Sequence, residues 1–255
     1  MSTSVATRMS PTGMTDRPGA TSPLFLARVT GAFFLLTTLA GIFAQGFVSQ
    51  KLVVSGDAAA TASNILAHPL LFQAGFAIYL IEMACQVVMT VLFYELLKPA
   101  GRRVALIMAC LSLTGCVIKA FSRVFYIAPL LVLGGAPYLS VFDARQLQAL
   151  ALLLLQLNEQ GAGMALVFFG FSTLLQGYLI LRSTFLPRVL GVLAVLGGLG
   201  WLTYLYPPLG DRLFLVIVGV GLLGTVAIIL RLLVFGVNVE RWQEQAGVVD
   251  ASIRK

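Results

Sequence analysis

The sequence predicts an all-α integral membrane protein, a bundle of six transmembrane helices with two longer outer connections containing short interfacial helices. Three observations predict it. Hydrophobic residues fill 59% of the 255 positions and charged ones only 11%, with mean hydropathy +0.95, whereas soluble domains are roughly half apolar and a quarter charged. Apolar windows of about twenty residues, enough for a hydrocarbon core of roughly 30 Å, recur along the chain. Lys and Arg concentrate on alternate loops.

Residues 1–27, rich in Ser, Thr, Pro and Gly, read as a disordered cytoplasmic tail, since they carry too little apolar content to pack. The six spans fall at Val29 to Phe47, Phe72 to Leu97, Val104 to Leu131, Met164 to Leu181, Val189 to Tyr206 and Leu213 to Phe235. The first is span-length without a clear small-residue cleavage site, so it reads as an uncleaved span. Residues 28–236 form one membrane domain and 237–255 a second cytoplasmic tail. In the first outer connection, Asp57 or Ser55 caps a short helix from Ala58 to Ala67 that ends at His68 and Pro69. In the second, an Asp143-capped run from Ala144 to Leu157 either lies in the interface or extends the fourth span outward, bent near Gly161 and Gly163.

An inner placement of the amino terminus puts twelve Lys and Arg on inner loops and tails against three outside, Lys51, Arg145 and Arg212, with Lys119 and Arg123 inside the membrane. Both termini are therefore expected in the cytoplasm. The net charge of +7 follows from this bias and makes no case for nucleic acid, which would need a clustered basic surface. Cys85, Cys110 and Cys116 lie within spans without CxxC spacing and read as small hydrophobes. With His68 as the one histidine, placed at a helix end where it caps, no multi-histidine metal set and no Ser-His or Cys-His pair is expected. No P-loop or dinucleotide fingerprint is present, and no cofactor is expected.

Glu82, Lys119 and Arg123 are the residues most in need of explanation. A charge near the bilayer centre costs at least ~2.5 to 3.5 kcal/mol on insertion scales, so such side chains face a protein interior and find partners. At 100° per residue, Tyr79, Glu82, Gln86, Thr90 and Tyr94 share one face of the second span, and Ser112, Lys119, Arg123 and Tyr126 one face of the third. Glu82 lies fifteen residues before Leu97 and Lys119 fifteen after Val104, which puts both roughly 22 Å above the inner turn of a hairpin. Gln45, on the first span, arrives at a similar height. The pair serves either to fix helix register, as buried ion pairs do, or to build a site. Arg123 makes the cluster of one carboxylate and two cations formally positive, so either Glu159 or an anionic ligand must compensate it. Gln45, Glu82, Gln86, Lys119, Arg123, Tyr126 and Glu159 are the candidate ligand-binding residues. The glycines of the fifth and sixth spans, with almost no polar company, read as packing contacts.

The segment FFGFSTLLQGYLILRSTFLPRVLGVL from Phe168, with TASNILAHPLLFQAG from Thr61 and YELLKP from Tyr94, resembles the bacterial membrane family called domain of unknown function 4386, over about Arg28 to Arg231. The resemblance implies a multi-span helical fold in a bacterial cytoplasmic membrane and no assigned activity. Relatives often carry His where Ser172 stands, so it implies no metal or proton-relay role for the fourth span here.

Three function classes follow. The first is non-enzymatic binding of an anionic lipid headgroup, a small acid or a membrane partner in a polar cavity between the first four spans. The second is a small proton-coupled carrier using Glu82, without the inverted repeat such carriers often show. The third, an enzyme with Glu82 as acid or base, lacks a paired nucleophile, and the reading leans away from it.

Overall fold

In lipid the backbone must satisfy its own hydrogen bonds, which leaves long apolar segments the helix as their solution. The computed structural model of the chain describes residues 22–253 and, among them, contains helices and turns but no strand. Five helices are long and apolar enough to cross a membrane. Their outward faces are apolar, with Leu215 83% and Val117 69% exposed, the surface of a membrane-embedded protein.

Helix α1, Pro23–Leu52, opens with Pro23 in its first turn, where the missing N–H costs nothing. The expected tail therefore ends earlier than residue 27: Ala27 is fully buried within α1, and residues 1–21 lie outside the described chain. From Ile42 to Ser49 the turns widen to π-helix. Helix α2, Ala58–Ala67, is capped by Asp57, whose side chain accepts from the Ala60 N–H at 2.9 Å. Exposed His68 closes it, donating its backbone N–H to the Asn64 carbonyl.

Helix α3, Pro69–Leu133, runs 65 residues and leaves helical geometry only at Gly101. There it folds back, so that residues 69–100 and 102–133 form two antiparallel arms. Their register is fixed by Thr90 against Ser112 at 2.8 Å, Glu82 against Lys119, and Phe72 stacked on Tyr126 with centroids 4.5 Å apart. The apolar windows Phe72 to Leu97 and Val104 to Leu131 lie one on each arm.

Helix α4, Ala144–Arg182, starts at a reciprocal capping box between Asp143 and Gln146. It stays helical through Gly161 and Gly163. Of the two expected outcomes for the apolar run after Asp143, the structure holds the extension of the fourth window and not a separate short helix: the run is the first part of α4, and only a 3-10 turn, Pro137–Leu139, precedes it. The packing there is close, since a Cβ at Gly161 would come within 2.6 Å of Ser122 Cβ, so α4 lies directly against α3.

Helices α5, Arg188–Leu205, and α6, Pro207–Phe235, complete the bundle. The α5 glycines divide their work. Gly191 and Gly198 meet Gly177 and Gly170 of α4, where an added Cβ would approach the opposite backbone oxygen to 2.8–3.1 Å, while Gly200 faces Ile217 of α6. Gly177→Leu is expected to cost about 1–3 kcal/mol as an overpacked contact, and Gly219→Ala, with nothing within 4 Å of the new Cβ, to be neutral. Thermal midpoints in detergent check both. Helix α7, Val239–Ile253, forms most of the expected second tail and docks at the end of the bundle that carries the Gly101 turn, with Trp242 Nε1 donating to the Leu96 carbonyl at 2.9 Å and Arg241 to that of Thr184 at 3.3 Å.

Candidate functional site

The polar residues of α1, α3 and α4 are stacked in three levels, and antiparallel register assigns each its height. At the innermost level Lys119 Nζ donates to Glu82 Oε1 at 2.5 Å, with the side chains 17% and 6% exposed. Gly41 brings α1 close enough that a Cβ there would sit 3.2 Å from the same oxygen. Glu82 Oε2 is buried and has no hydrogen-bond partner among the described residues. Both residues line a chamber of about 230 Å³ that extends from them toward the Gly101 turn, the direction taken as inward, between α3, α4, α5 and α6, with Gln86, Thr90, Ser112, Ser172 and Gln176 on its walls. The Ser172 hydroxyl is already given to the Met108 carbonyl at 2.9 Å, whereas Gln176 Nε2 is buried without a partner.

One helical turn outward lies a closed layer. Arg123 is 1% exposed, stacked over the Tyr79 ring with 3.6 Å from its Cζ to the centroid, and its Nη1 donates to Asn158 Oδ1 at 2.9 Å. Because guanidinium only donates, it fixes the Asn158 amide with its oxygen inward. Asn158 Nδ2 is thereby turned to Glu159 Oε1 at 3.3 Å. Tyr79 donates its hydroxyl to Gln45 Oε1 at 2.5 Å and contacts Ser49 Oγ at 3.1 Å. A cation over an aromatic face, shielded from water, is stabilised by about 2 kcal/mol or more.

Beyond this layer a second cavity, of about 360 Å³, is lined by Gln45, Ser49, Tyr126, Gln156, Glu159 and Gln160 among others. The Tyr126 ring stands edge-on to Tyr79 with centroids 5.2 Å apart, and its buried hydroxyl has no partner among the described residues.

The seven candidate residues are thus divided. Glu82, Gln86 and Lys119 line the chamber; Gln45, Tyr126 and Glu159 line the outer cavity; Arg123 lines neither and stands between them. Gln45 is a turn farther out than its count from Val29 implies. Gly41, four residues before it, is the α1 residue that faces Glu82, and Gln45 itself bonds Tyr79, three residues from Glu82 along α3. Asn158, Ser49 and Gln176 are the residues sequence reasoning passed over. Gln176 had a signal, being the one amide in the window from Met164 to Leu181. Of the cysteines, Cys116 is buried, Cys85 half-buried and Cys110 exposed, all as free thiols, so only Cys116 fills the core as a small hydrophobe.

No three His, Cys, Asp or Glu side chains gather among the described residues. The chemistry available in the chamber is that of one carboxylate held by one ammonium, with hydrogen-bond donors and acceptors to spare. No curated protein and no solved structure matched the chain. The family model described as Domain of unknown function (DUF4386) matches residues 29–237, a stretch running from α1 to the end of α6 that holds every residue of the three levels. With that share of its length matched, the chain belongs to the DUF4386 family.

Proposed function

We propose that this chain crosses a bacterial cytoplasmic membrane six times, with both termini cytoplasmic, and binds a small acid in the chamber below Glu82 and Lys119 without turning it over. One observation carries the binding reading. Glu82 Oε2, an acceptor, and Gln176 Nε2, a donor, are buried without partners on the walls of one chamber, and a buried polar atom left unpaired costs about 1–3 kcal/mol. A protonated carboxyl group answers the first, donating its hydroxyl to the carboxylate, while Gln176, one turn along α4 from Ser172 and so near the level of Met108, faces the other end of the chamber. Entering as the neutral acid, it leaves the charge of the Glu82–Lys119 pair unchanged, which matters where an unpaired charge is expensive. Arg123 acts from behind as a fixed positive charge, and Gln45, Tyr126 and Glu159 belong to the outer vestibule.

Calorimetric titration of the purified protein with butyrate tests this. Wild type is expected to bind, and the double variant Glu82→Gln/Lys119→Met, which removes the charges as a pair, to lose at least about tenfold in affinity, or ~1.4 kcal/mol. Equal affinity in both, or none in either, contradicts the site. The stacking of the outer cavity over the chamber favours a carrier as second reading. Proteoliposomes acidified on one side and supplied with labelled butyrate would show uptake beyond protein-free vesicles if it holds.

The two arms of α3, each long enough to span, together with the five-helix count support the reading of six crossings. Single cysteines at Arg102 and Arg188, both exposed, on a background without the native three, are expected to resist a membrane-impermeant thiol reagent in intact cells. A cysteine at Val141, 80% exposed, should label. The reverse pattern inverts the topology.

A further inference from the structure

The outer cavity has a lining unlike that of the chamber. Its polar residues are four amides, three hydroxyls and one carboxylate, and no lysine, arginine or histidine lines it among the described residues. Two elements supply most of them. On α1, Gln45 and Ser49 lie on the wide turns of the π-helical stretch Ile42–Ser49, a backbone geometry frequent at functional sites. On α4, Gln156 and Gln160 stand one turn apart with Glu159 beside them on the same face.

These groups are not spent on one another. Gln45 Oε1 accepts from Tyr79, which leaves the amide nitrogen as a donor. Glu159 accepts from Asn158 Nδ2 on one oxygen at 3.3 Å, and among the described residues nothing donates to the other. Tyr126, 1% exposed, stands on the cavity wall with its hydroxyl unpartnered. The charge of Glu159 is matched by that of Arg123, which reaches it through Asn158, so an added ion of either sign meets one attraction and one repulsion. The ligand that suits such a lining is neutral, and it both donates and accepts around its perimeter, as hydroxyl groups do.

A volume of about 360 Å³ at ~30 Å³ per water-sized group holds roughly twelve non-hydrogen atoms, the six carbons and six oxygens of a hexose. Val53, Leu152 and Leu155 give its C–H faces apolar contact. We infer that the outer cavity binds one neutral polyhydroxylated six-membered ring, a hexose or cyclic polyol, with Glu159 accepting from neighbouring hydroxyls and Tyr126 donating to another. The cavity shares no lining residue with the acid chamber and is a separate site. The same ring chemistry can arrive free or as the headgroup of a glycolipid.

The test is calorimetric titration of the full chain, purified in an amine-oxide detergent whose headgroup is not a sugar, with glucose, galactose, mannose and myo-inositol. At least one is expected to bind with a Kd below about 1 mM. Cyclohexanol, the same size of ring with a single hydroxyl, should bind at least tenfold more weakly, because a site built for hydroxyls rejects the analogue that lacks them. Tyr126→Phe deletes a buried hydroxyl without a partner, so the thermal midpoint should hold or rise while the best ligand binds about tenfold more weakly. Glu159→Gln, which replaces an acceptor oxygen by a donor, should weaken the ligand by a similar factor. The octyl glycoside of the best sugar, measured against Tyr126→Phe to remove micelle partition, separates the sources: tighter binding than the free sugar supports a glycolipid headgroup, weaker binding a free sugar. If no ring binds, or if both variants bind it as wild type does, the site is lost. Glucosamine or gluconate binding tenfold more tightly than glucose would overturn the assignment of a neutral ligand.

Discussion

Lys119→Met is expected to lower stability by about 3 kcal/mol, toward the smaller end of what breaking a buried ion pair costs because the ammonium retains some exposure. Glu82 would then stand charged beside Gly41 with neither oxygen paired, since Oε2 already lacks a partner and Oε1 has Lys119 alone. Glu82→Gln leaves the ammonium with an amide oxygen and is expected to cost less. The double variant Glu82→Gln/Lys119→Met removes both charges and should recover most of the loss, because desolvating the pair offsets much of its attraction. Thermal midpoints of the four proteins in one detergent check the cycle. Effects that simply add would mean that the two groups do not interact.

Arg123→Met carries the second large effect, on the order of 3 kcal/mol. It strips the cation from the Tyr79 face, worth about 2 kcal/mol when desolvated, and leaves Asn158 Oδ1 buried without a donor, worth about 1–3 kcal/mol. Arg123→Lys keeps the charge but loses the planar stack and the fixed reach to Asn158, so it should recover only part. Asn158→Ala should be costly for the same reason as Arg123→Met. Glu159→Gln should change little, below about 1 kcal/mol, because that carboxylate is exposed at the cavity mouth and touches Arg123 only through Asn158. Chemical or thermal denaturation of this set separates Asn158 from Glu159 as the partner of Arg123. A loss at Glu159→Gln as large as at Arg123→Met would mean that the carboxylate pairs with the guanidinium directly.

The helices and the charged pair were legible in the sequence because both follow from counting. Lipid forces helix on every long apolar run, and a short inner turn makes residues at equal distance from it face one another, which is how Glu82 and Lys119 were matched. What failed was whatever depended on a helix having a different start. Helix α1 begins at Pro23 rather than near Val29, and Gln45 rises a turn. Helix α4 begins at Ala144, as one of the two readings of the run after Asp143 has it. That extension brings Asn158 to the level of Arg123, and nothing in the local pattern of an apolar run followed by an amide says so. The chamber was invisible for another reason: its inner walls are supplied by Met89, Phe93, Met108 and Ile228, which in sequence look like any core residues.

The most direct measurement is where an acid sits. A crystal of the wild-type protein soaked with 4-bromobutyrate gives an anomalous signal from bromine alone. The predicted result is a bromine peak within the chamber, with carboxyl density beside Glu82 and Lys119. A peak in the outer cavity at Glu159, or none within the chamber at saturating acid, would contradict it.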